Sequence, residues 1–325
     1  MNDSIAVVED VWGPAFEDLG TRHTVVREPD AWSDPDRLAE LVGSSSVVVI
    51  RNRTQLTAEL MKQSPGLKVI ARAGVGLDNI DLSAADELGI VVLAALGANA
   101  TSVAEHAVGL ALAVAHHTVP LDHEVRAGRW NRLPGRELAG STWGLLSAGA
   151  TARATARLAR GLGMDVVAYD PYVATDDAEL TEIGVTLASL NEVVAAADVL
   201  SIHLPATADT IGMVDAALLA EMKPEAILVN VGRGEVVDET ALAAALSNGD
   251  ILGAGLDVRA QEPPPSPDPL GDLDNLVLTP HIAGITGQAQ DRIMTLLCAD
   301  IDATVAGRPV RCHVGRADTP RETSR

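Results

Sequence analysis

Residues 143–170, WGLLSAGATARATARLARGLGMDVVAYD, constrain the fold more than any other stretch. A short apolar strand runs into a turn of small residues, then an Ala/Arg-rich helix, then a second strand (165–169) ending in Asp170. That order is the opening βαβ unit of a dinucleotide-binding domain. The three glycine positions of its fingerprint hold Ser147, Gly149 and Ala152. In such a turn the first glycine tightens the bend, the second lets the backbone reach a pyrophosphate, and the third lets helix and strand pack closely. Ser147 is the serious departure: if its position needs a positive φ, a side chain there costs on the order of 1 kcal/mol or more. Asp170 follows Gly149 by 21 residues, the distance for an acid on the adenosine ribose. Such an acid repels a 2′-phosphate, so NAD rather than NADP is the expected cofactor.

The rest of the chain repeats the alternation. Apolar strands are expected at 5–8, 24–27, 46–50, 67–71 and 90–93, with helical patterns at 35–42, 57–64 and 83–88. A long helical segment follows at 101–127, kinked at Pro120. Residues 128–139 form an irregular, Arg-rich arm. A second βα series then has strands at 144–146, 166–169, 199–203, 226–230, 251–257 and 276–278, and a final helix at 288–305. Strands alternating with helices imply parallel sheets covered on both faces. The expected fold is therefore α/β, with two doubly wound parallel-sheet domains.

Composition narrows the function. The chain has 325 residues, 47% hydrophobic and 21% charged, enough for two cores. A net charge of −21 disfavours nucleic acid, whose phosphates need clustered Lys and Arg. No apolar run reaches the roughly 18 residues of a membrane span. The N-terminal sequence lacks the regions of a signal peptide, so a cytoplasmic location is expected. Cys298 and Cys312 fit no metal spacing, and no metal site is expected.

Three polar residues fall after successive strands of the second series: Arg233 in VNVGRGE, Glu262 in RAQEPP and His281 in LTPHIAG. Open α/β sheets bind ligands beyond those strand ends. A single histidine after a strand is more often structural; the joint occurrence at three strand ends is what points to chemistry. Hydride transfer to a 2-oxo acid suits them. His281 would give a proton to the carbonyl oxygen, Glu262 would orient the imidazole and raise its pKa, and Arg233 would hold carboxylate and carbonyl oxygens with its planar fork. His203, also at a strand end, could contact the cofactor or sit in the core. His106, His116 and His117 read as packing residues.

The motifs IRNRTQLT, LKVIARAGVGLDNID, TSVAEHAVGLALA, AGRWNR, LGMDVVAYDPY, ADVLSIHLP, ILVNVGRGEVVDETAL, GAGLDVRAQEPP and NLVLTPHIAG occur in order over residues 45–315. This series resembles the D-isomer-specific 2-hydroxyacid dehydrogenases, in particular their short D-3-phosphoglycerate dehydrogenase-like members. The resemblance makes Arg233, Glu262 and His281 the catalytic trio. It implies a Rossmann NAD-binding domain (98–286) inserted in a flavodoxin-like substrate domain (1–97 and 287–315); the Arg- and Thr-rich composition of the last residues (316–325) reads as a disordered tail. Ser147, Gly149, Ala150, Thr151, Asp170, His203, Asp257 and Gly284 would then meet the cofactor. The loop at 73–76, with Gly74, Val75 and Gly76, would offer N–H groups to the substrate carboxylate. Asn99 would lie near the substrate, and Arg51 and Arg72 would hold a phosphate. The partner copy of a homodimer, built on the long helix and the arm, could contribute Arg132. No ACT-like extension follows, so feedback by serine is not expected.

The chain departs from the family pattern G-x-G-R-I-G at Ser147, Ala150 and Ala152. The missing arginine at 150 removes a charge-assisted phosphate contact, worth roughly 1.5–3 kcal/mol, so weakened NAD affinity is expected. Leu96 replaces a common proline, and Arg259 a common aromatic, which would put a charge near the substrate. The leading reading is an NAD-dependent oxidoreductase that interconverts a small anionic D-2-hydroxy acid and its 2-oxo acid. Two others stay open on the residues: non-redox acid–base chemistry by the same trio after loss of NAD, and a non-catalytic regulator.

Overall fold

A computed structural model describes residues 4–321. In chain order it begins β1 (Ser4–Val7), α1 (Pro14–Arg22), β2 (Thr24–Arg27), α2 (Pro35–Gly43), β3 (Val47–Ile50), α3 (Ala58–Lys62), β4 (Val69–Arg72), α4 (Leu82–Glu87) and β5 (Val91–Ala94). It continues with α5 (Ala100–Ala115), α6 (Thr118–Arg126), β6 (Thr142–Leu146), α7 (Ala150–Gly161), β7 (Asp165–Tyr169), α8 (Ala178–Ile183), β8 (Val185–Leu187), α9 (Leu190–Ala196) and β9 (Val199–Ile202). It closes with α10 (Ala216–Ala220), β10 (Ile227–Asn230), α11 (Glu239–Asn248), β11 (Gly253–Leu256), β12 (Leu276–Leu278), α12 (Gly287–Val305) and β13 (His313–Val314).

The chain divides into two compact units. Unit 1 joins the residues up to Asn99 with those from Ile285 onward; unit 2 is Ala100–Gly284. The sheet of unit 1 has the order β2-β1-β3-β4-β5-β13, parallel except for β13, which is the flavodoxin-like order with an added antiparallel edge. Val47–Ile50, Val69–Arg72 and Val91–Ala94 are buried throughout, as strands covered on both faces must be. The sheet of unit 2 runs β8-β7-β6-β9-β10-β11-β12, all parallel, the Rossmann order 3-2-1-4-5-6 with one more strand. Its order reverses between β6 and β9, which places the switch point beside the loop after Leu146.

Side-chain caps fix where most helices of unit 2 start. Asp177, Ser189, Asp215 and Asp238 accept backbone N–H groups at the N-termini of α8, α9, α10 and α11. Helix α7 begins at Gly149 with no side-chain cap, so its first N–H groups are left for a ligand. Ala152, Ala156 and Ala159 bury the other face of α7 completely, the close approach that small residues permit.

Three expectations need correction. The helix expected over 101–127 is two helices, broken at 116–117, where His117 is left-handed at φ 52°. Pro120 explains the break: its ring would clash with the carbonyl of residue 116 in a continuous helix, whereas in the first turn of α6 its missing N–H costs nothing. Helices α1 and α8 and strands β8 and β13 were not singled out. The tail expected to be disordered from 316 is held through residue 321. Asp86 accepts the N–H groups of Arg316 and Ala317 (2.7 and 3.0 Å). The Arg321 N–H donates to Gly89 O (2.9 Å) and its guanidinium to Leu67 O and Ser64 O (2.9 and 2.7 Å).

Candidate active site

The trio residues are set by three turns at the carboxyl ends of β10, β11 and β12, all in unit 2. After β10, Asn230 shapes the turn that carries Arg233: its side chain accepts from Gly232 N–H (3.1 Å) and donates to Arg233 O (2.9 Å). After β11, Glu262 accepts at one oxygen from Arg259 N–H (3.1 Å) and at the other meets His281 Nδ1 (2.8 Å). After β12, His281 is held at φ 56°, a left-handed position for a residue with a Cβ.

The buried carboxylate of Asp257 stabilises that strained turn. It accepts from Thr279 Oγ1 (2.6 Å), Ile282 N–H (2.9 Å) and Ala283 N–H (2.8 Å), while the Asp257 carbonyl takes His281 N–H (2.7 Å). His106 of α5 reaches Thr279 Oγ1 (2.9 Å) and completes the network. Burial works to raise the Asp257 pKa, but the hydrogen bonds from His106, Thr279 and the two amides outweigh it and keep the group ionised. The sequence pointed to neither Thr279 nor His106 here, because their partners lie 22 and 173 residues away.

The electrostatics of the pair suit acid–base work. The hydrogen bond to Glu262 raises the His281 pKa above its ordinary value; burial and the Arg233 charge act in the opposite sense. For Glu262, burial works upward, but the His281 hydrogen bond and the Arg259 N–H hold the carboxyl below its ordinary value. An ionised Glu262 accepts Nδ1–H, which leaves Nε2 as the nitrogen that exchanges a proton with a ligand.

The cofactor loop follows β6. Ser147 sits at φ 114°, the conformation that a glycine would take without strain. Its Oγ accepts the Gly149 N–H (3.0 Å). Asp170 accepts at one oxygen from Ala148 N–H (2.8 Å) and at the other from Tyr172 N–H (3.0 Å). A carboxylate has about four acceptor sites, so capacity for ribose hydroxyls remains. Ala150 and Thr151 open α7. Two observations test whether a dinucleotide fits. A Cβ built on Gly149 would meet only Ser147 Oγ, at 3.4 Å, so the chain leaves room over that backbone. His203 has a buried Nδ1 with no hydrogen-bond partner among the described residues, while its Nε2 pairs with Ser201 Oγ (3.0 Å). Burial pushes the His203 pKa down to about 3, so the ring is neutral. The residues present fit the group.

Arg259 does not bring a charge to the substrate side as expected from its position. Its side chain is 7% exposed and is paired with Glu239 and Asp268.

In unit 1, loops at the carboxyl ends of β1, β3 and β4 carry the remaining candidates. The buried Glu9 accepts the N–H groups of Arg51, Arg53 and Thr54 (2.7, 3.0 and 3.0 Å). Asn79 donates to Arg51 O and Thr54 O (2.9 and 2.7 Å). The Arg51 guanidinium lies 4.8 Å from the Trp12 ring centroid and donates to Asp10 O (3.2 Å). Ile50 and Arg72 are paired in register, so Arg51 follows β3 at the level where β4 ends in Arg72. The Arg72 guanidinium packs over Gly74, where a Cβ would lie 1.9 Å from Nη1 and would push the arginine tip aside. Ala73 and Gly74 donate their N–H groups to Ile50 O and Arg72 O (2.7 and 2.8 Å), which removes both from the expected carboxylate-binding set. Val75 and Gly76 N–H donate to no group among the described residues. Asn99 is buried.

A Rossmann sheet with an uncapped helix at its switch point, and an Arg, Glu and His on its strand ends, defines a dinucleotide-dependent α/β protein. Comparison with known proteins makes this specific. Residues 108–283 match the family model described as D-isomer specific 2-hydroxyacid dehydrogenase, NAD binding domain. The chain is 41% identical over 278 residues to the D-3-phosphoglycerate dehydrogenase of Archaeoglobus fulgidus, covering 85% of this chain and 52% of that one. It is 40% identical over 283 residues to the (S)-sulfolactate dehydrogenase of Chromohalobacter salexigens, covering 86% and 91%. A Thermus thermophilus protein of known crystal structure superimposes with a TM-score of 0.88 at 32% identity, covering 96% of this chain and 99% of that one. The chain belongs to the D-isomer-specific 2-hydroxyacid dehydrogenase family. It spans about half the length of the phosphoglycerate dehydrogenases that it matches. Among the described residues no helix is long and apolar enough to cross a membrane.

Proposed function

We propose that the protein is an NAD-dependent oxidoreductase that interconverts a D-2-hydroxy acid and its 2-oxo acid. The observation that carries this is the 2.8 Å contact of His281 Nδ1 with Glu262, on strand ends of the same sheet that presents Arg233. Bound nicotinamide supplies hydride to C2 of the oxo acid, or accepts it from the alcohol. His281 Nε2 gives the carbonyl oxygen its proton in reduction and takes it back in oxidation. Glu262 keeps the imidazole oriented and stabilises its cationic form. Arg233 holds the carboxylate and polarises the carbonyl. Ser147, Gly149, Ala150, Thr151, Asp170, His203, Asp257 and Gly284 form the cofactor side.

The substrate carries a second anionic group. In unit 1, Arg51 and Arg72, at the carboxyl ends of β3 and β4, would hold it, and Val75, Gly76 and Asn99 would supply the other polar groups on that unit's side. Phosphate and sulfonate both suit two guanidinium groups, and similar proteins carry the names phosphoglycerate and sulfolactate dehydrogenase. The active form is a cytoplasmic homodimer. Helix α6 buries no residue, and the arm that follows exposes Trp130 (79%) and Leu133 (57%), apolar surface that a second copy would cover, and Arg132 of that arm would join the substrate site. Absorbance at 340 nm with NADH and a panel of 2-oxo acids, including 3-phosphohydroxypyruvate and sulfopyruvate, tests the reading. Turnover is expected with at least one of them. No turnover at millimolar NADH, together with no heat of NADH binding, would sink it.

A further inference from the structure

Arg259 lies two residues after Asp257 and three before Glu262, yet its guanidinium is turned away into the protein. Nε and Nη2 donate to the two carboxylate oxygens of Glu239, each at 2.9 Å. Nη1 and Nη2 donate to the two oxygens of Asp268, at 2.9 and 2.8 Å. One planar cation thus makes two bidentate pairs, the strongest geometry open to it. Glu239 is the first residue of α11, which follows the turn of Arg233. Asp268 lies farther along the loop that carries Glu262.

The backbone at 259–260 is fixed on every side. Glu239 Oε1 also accepts Ala260 N–H (2.8 Å). A Cβ on Gly234 would lie 1.9 Å from Arg259 C and 2.1 Å from its O, so the turn beside Arg233 rests directly on this peptide. The Arg259 N–H donates to Glu262 Oε1, whose partner oxygen meets His281. The same residue therefore touches the turn that carries Arg233 and the carboxylate that orients His281.

The geometry points to Arg259 as a positioning residue: through its clamp on Glu239 and Asp268 it fixes Glu262 against His281 and seats the Arg233 turn, without touching substrate. This rests on the acid–base roles given to the trio above. The charge count shows why the residue matters. Removal of the arginine leaves two partly buried carboxylates facing each other, an arrangement that relaxes only if the loop moves. Lysine cannot replace it fully, because an ammonium offers no planar fork.

The test reads His281 directly. Histidine-labelled full-length protein is titrated by NMR, with the His281 signal identified by its loss in His281→Gln. In Arg259→Leu the proton affinity of His281 is expected to drop about threefold or more. With a competent oxo acid, kcat/KM is expected to fall about tenfold or more while NADH affinity is unchanged. Arg259→Lys restores part of both. Glu262→Gln gives the same drop in proton affinity, and the double variant adds nothing to it. Should Arg259→Leu fail to fold, Glu239→Gln weakens one arm of the clamp and is read by the same titration. An unchanged His281 titration in a folded variant overturns the proposal, even if its Tm is lower. The titration needs no turnover. A protein that neither turns over any 2-oxo acid nor binds NADH would refute the functional reading and leave this test standing.

Discussion

Two loops of unit 2 each hold a residue with a Cβ in left-handed backbone, Ser147 at φ 114° and His281 at φ 56°. Each is steadied by a carboxylate that accepts neighbouring N–H groups, Asp170 in the first and Asp257 in the second. The resemblance ends there. At 281 the strained residue brings an imidazole that no glycine could supply, so the strain is tied to chemistry. At 147 the side chain occupies a place where glycine would be relaxed, and its hydroxyl takes up the Gly149 N–H. One loop is specialised around its side chain; the other tolerates one at the expense of an amide that would face pyrophosphate.

Substitutions at the two loops should therefore have very different effects. His281→Gln is expected to lower kcat by roughly 10²–10⁴-fold with NADH affinity intact, read by steady-state kinetics and calorimetry. Asp257→Ala strips partners from Thr279, Ile282 and Ala283; about 2–4 kcal/mol of stability should be lost in denaturant unfolding. The raised His281 pKa means that oxo-acid reduction stays high through the ordinary imidazole range and falls only as pH rises past the raised value, while alcohol oxidation rises there. The stability that this ion pair contributes follows the same sign: it is fully present below the unfolded imidazole pKa and lost above the folded one. Glu262→Gln should move the alkaline limb of the reduction profile to lower pH. The smallest effect is expected at the other loop. Ser147→Gly should relieve on the order of 1 kcal/mol of strain and tighten NADH severalfold, and Ala150→Arg should add to the binding. A Ser147→Gly variant that binds NADH more weakly would show that the hydroxyl serves the cofactor, and would erase the contrast between the loops.

Periodicity made both sheets and most of their strands readable, because buried parallel strands show as Val/Ile/Leu runs such as 47–50 and 69–72. The pairing of His281 with Glu262 was readable from three polar residues at successive strand ends. What escaped reading depended on long-range geometry. Arg259 was readable as a charge, but its partners Glu239 and Asp268 are chosen by how the loop folds back, and the expectation of a substrate-facing cation failed for that reason. The tail looked unstructured by composition, yet Asp86 and the carbonyls of Ser64, Leu67 and Gly89 give its polar groups partners. The break before α6 was legible only in part: Pro120 marked it, and the bend falls where the ring would meet the carbonyl of residue 116.

The fastening of the last described residues to unit 1 has a consequence for biosynthesis. A ribosome releases all of residues 100–284 before it releases α12, β13 and Arg321. Unit 2 can close its sheet from contiguous sequence while β5 still lacks its antiparallel neighbour. During that interval the open edge of β5 and the carbonyls of Ser64, Leu67 and Gly89 await partners, so a nascent chain stalled just short of residue 313 presents an unpaired strand edge that the finished protein hides.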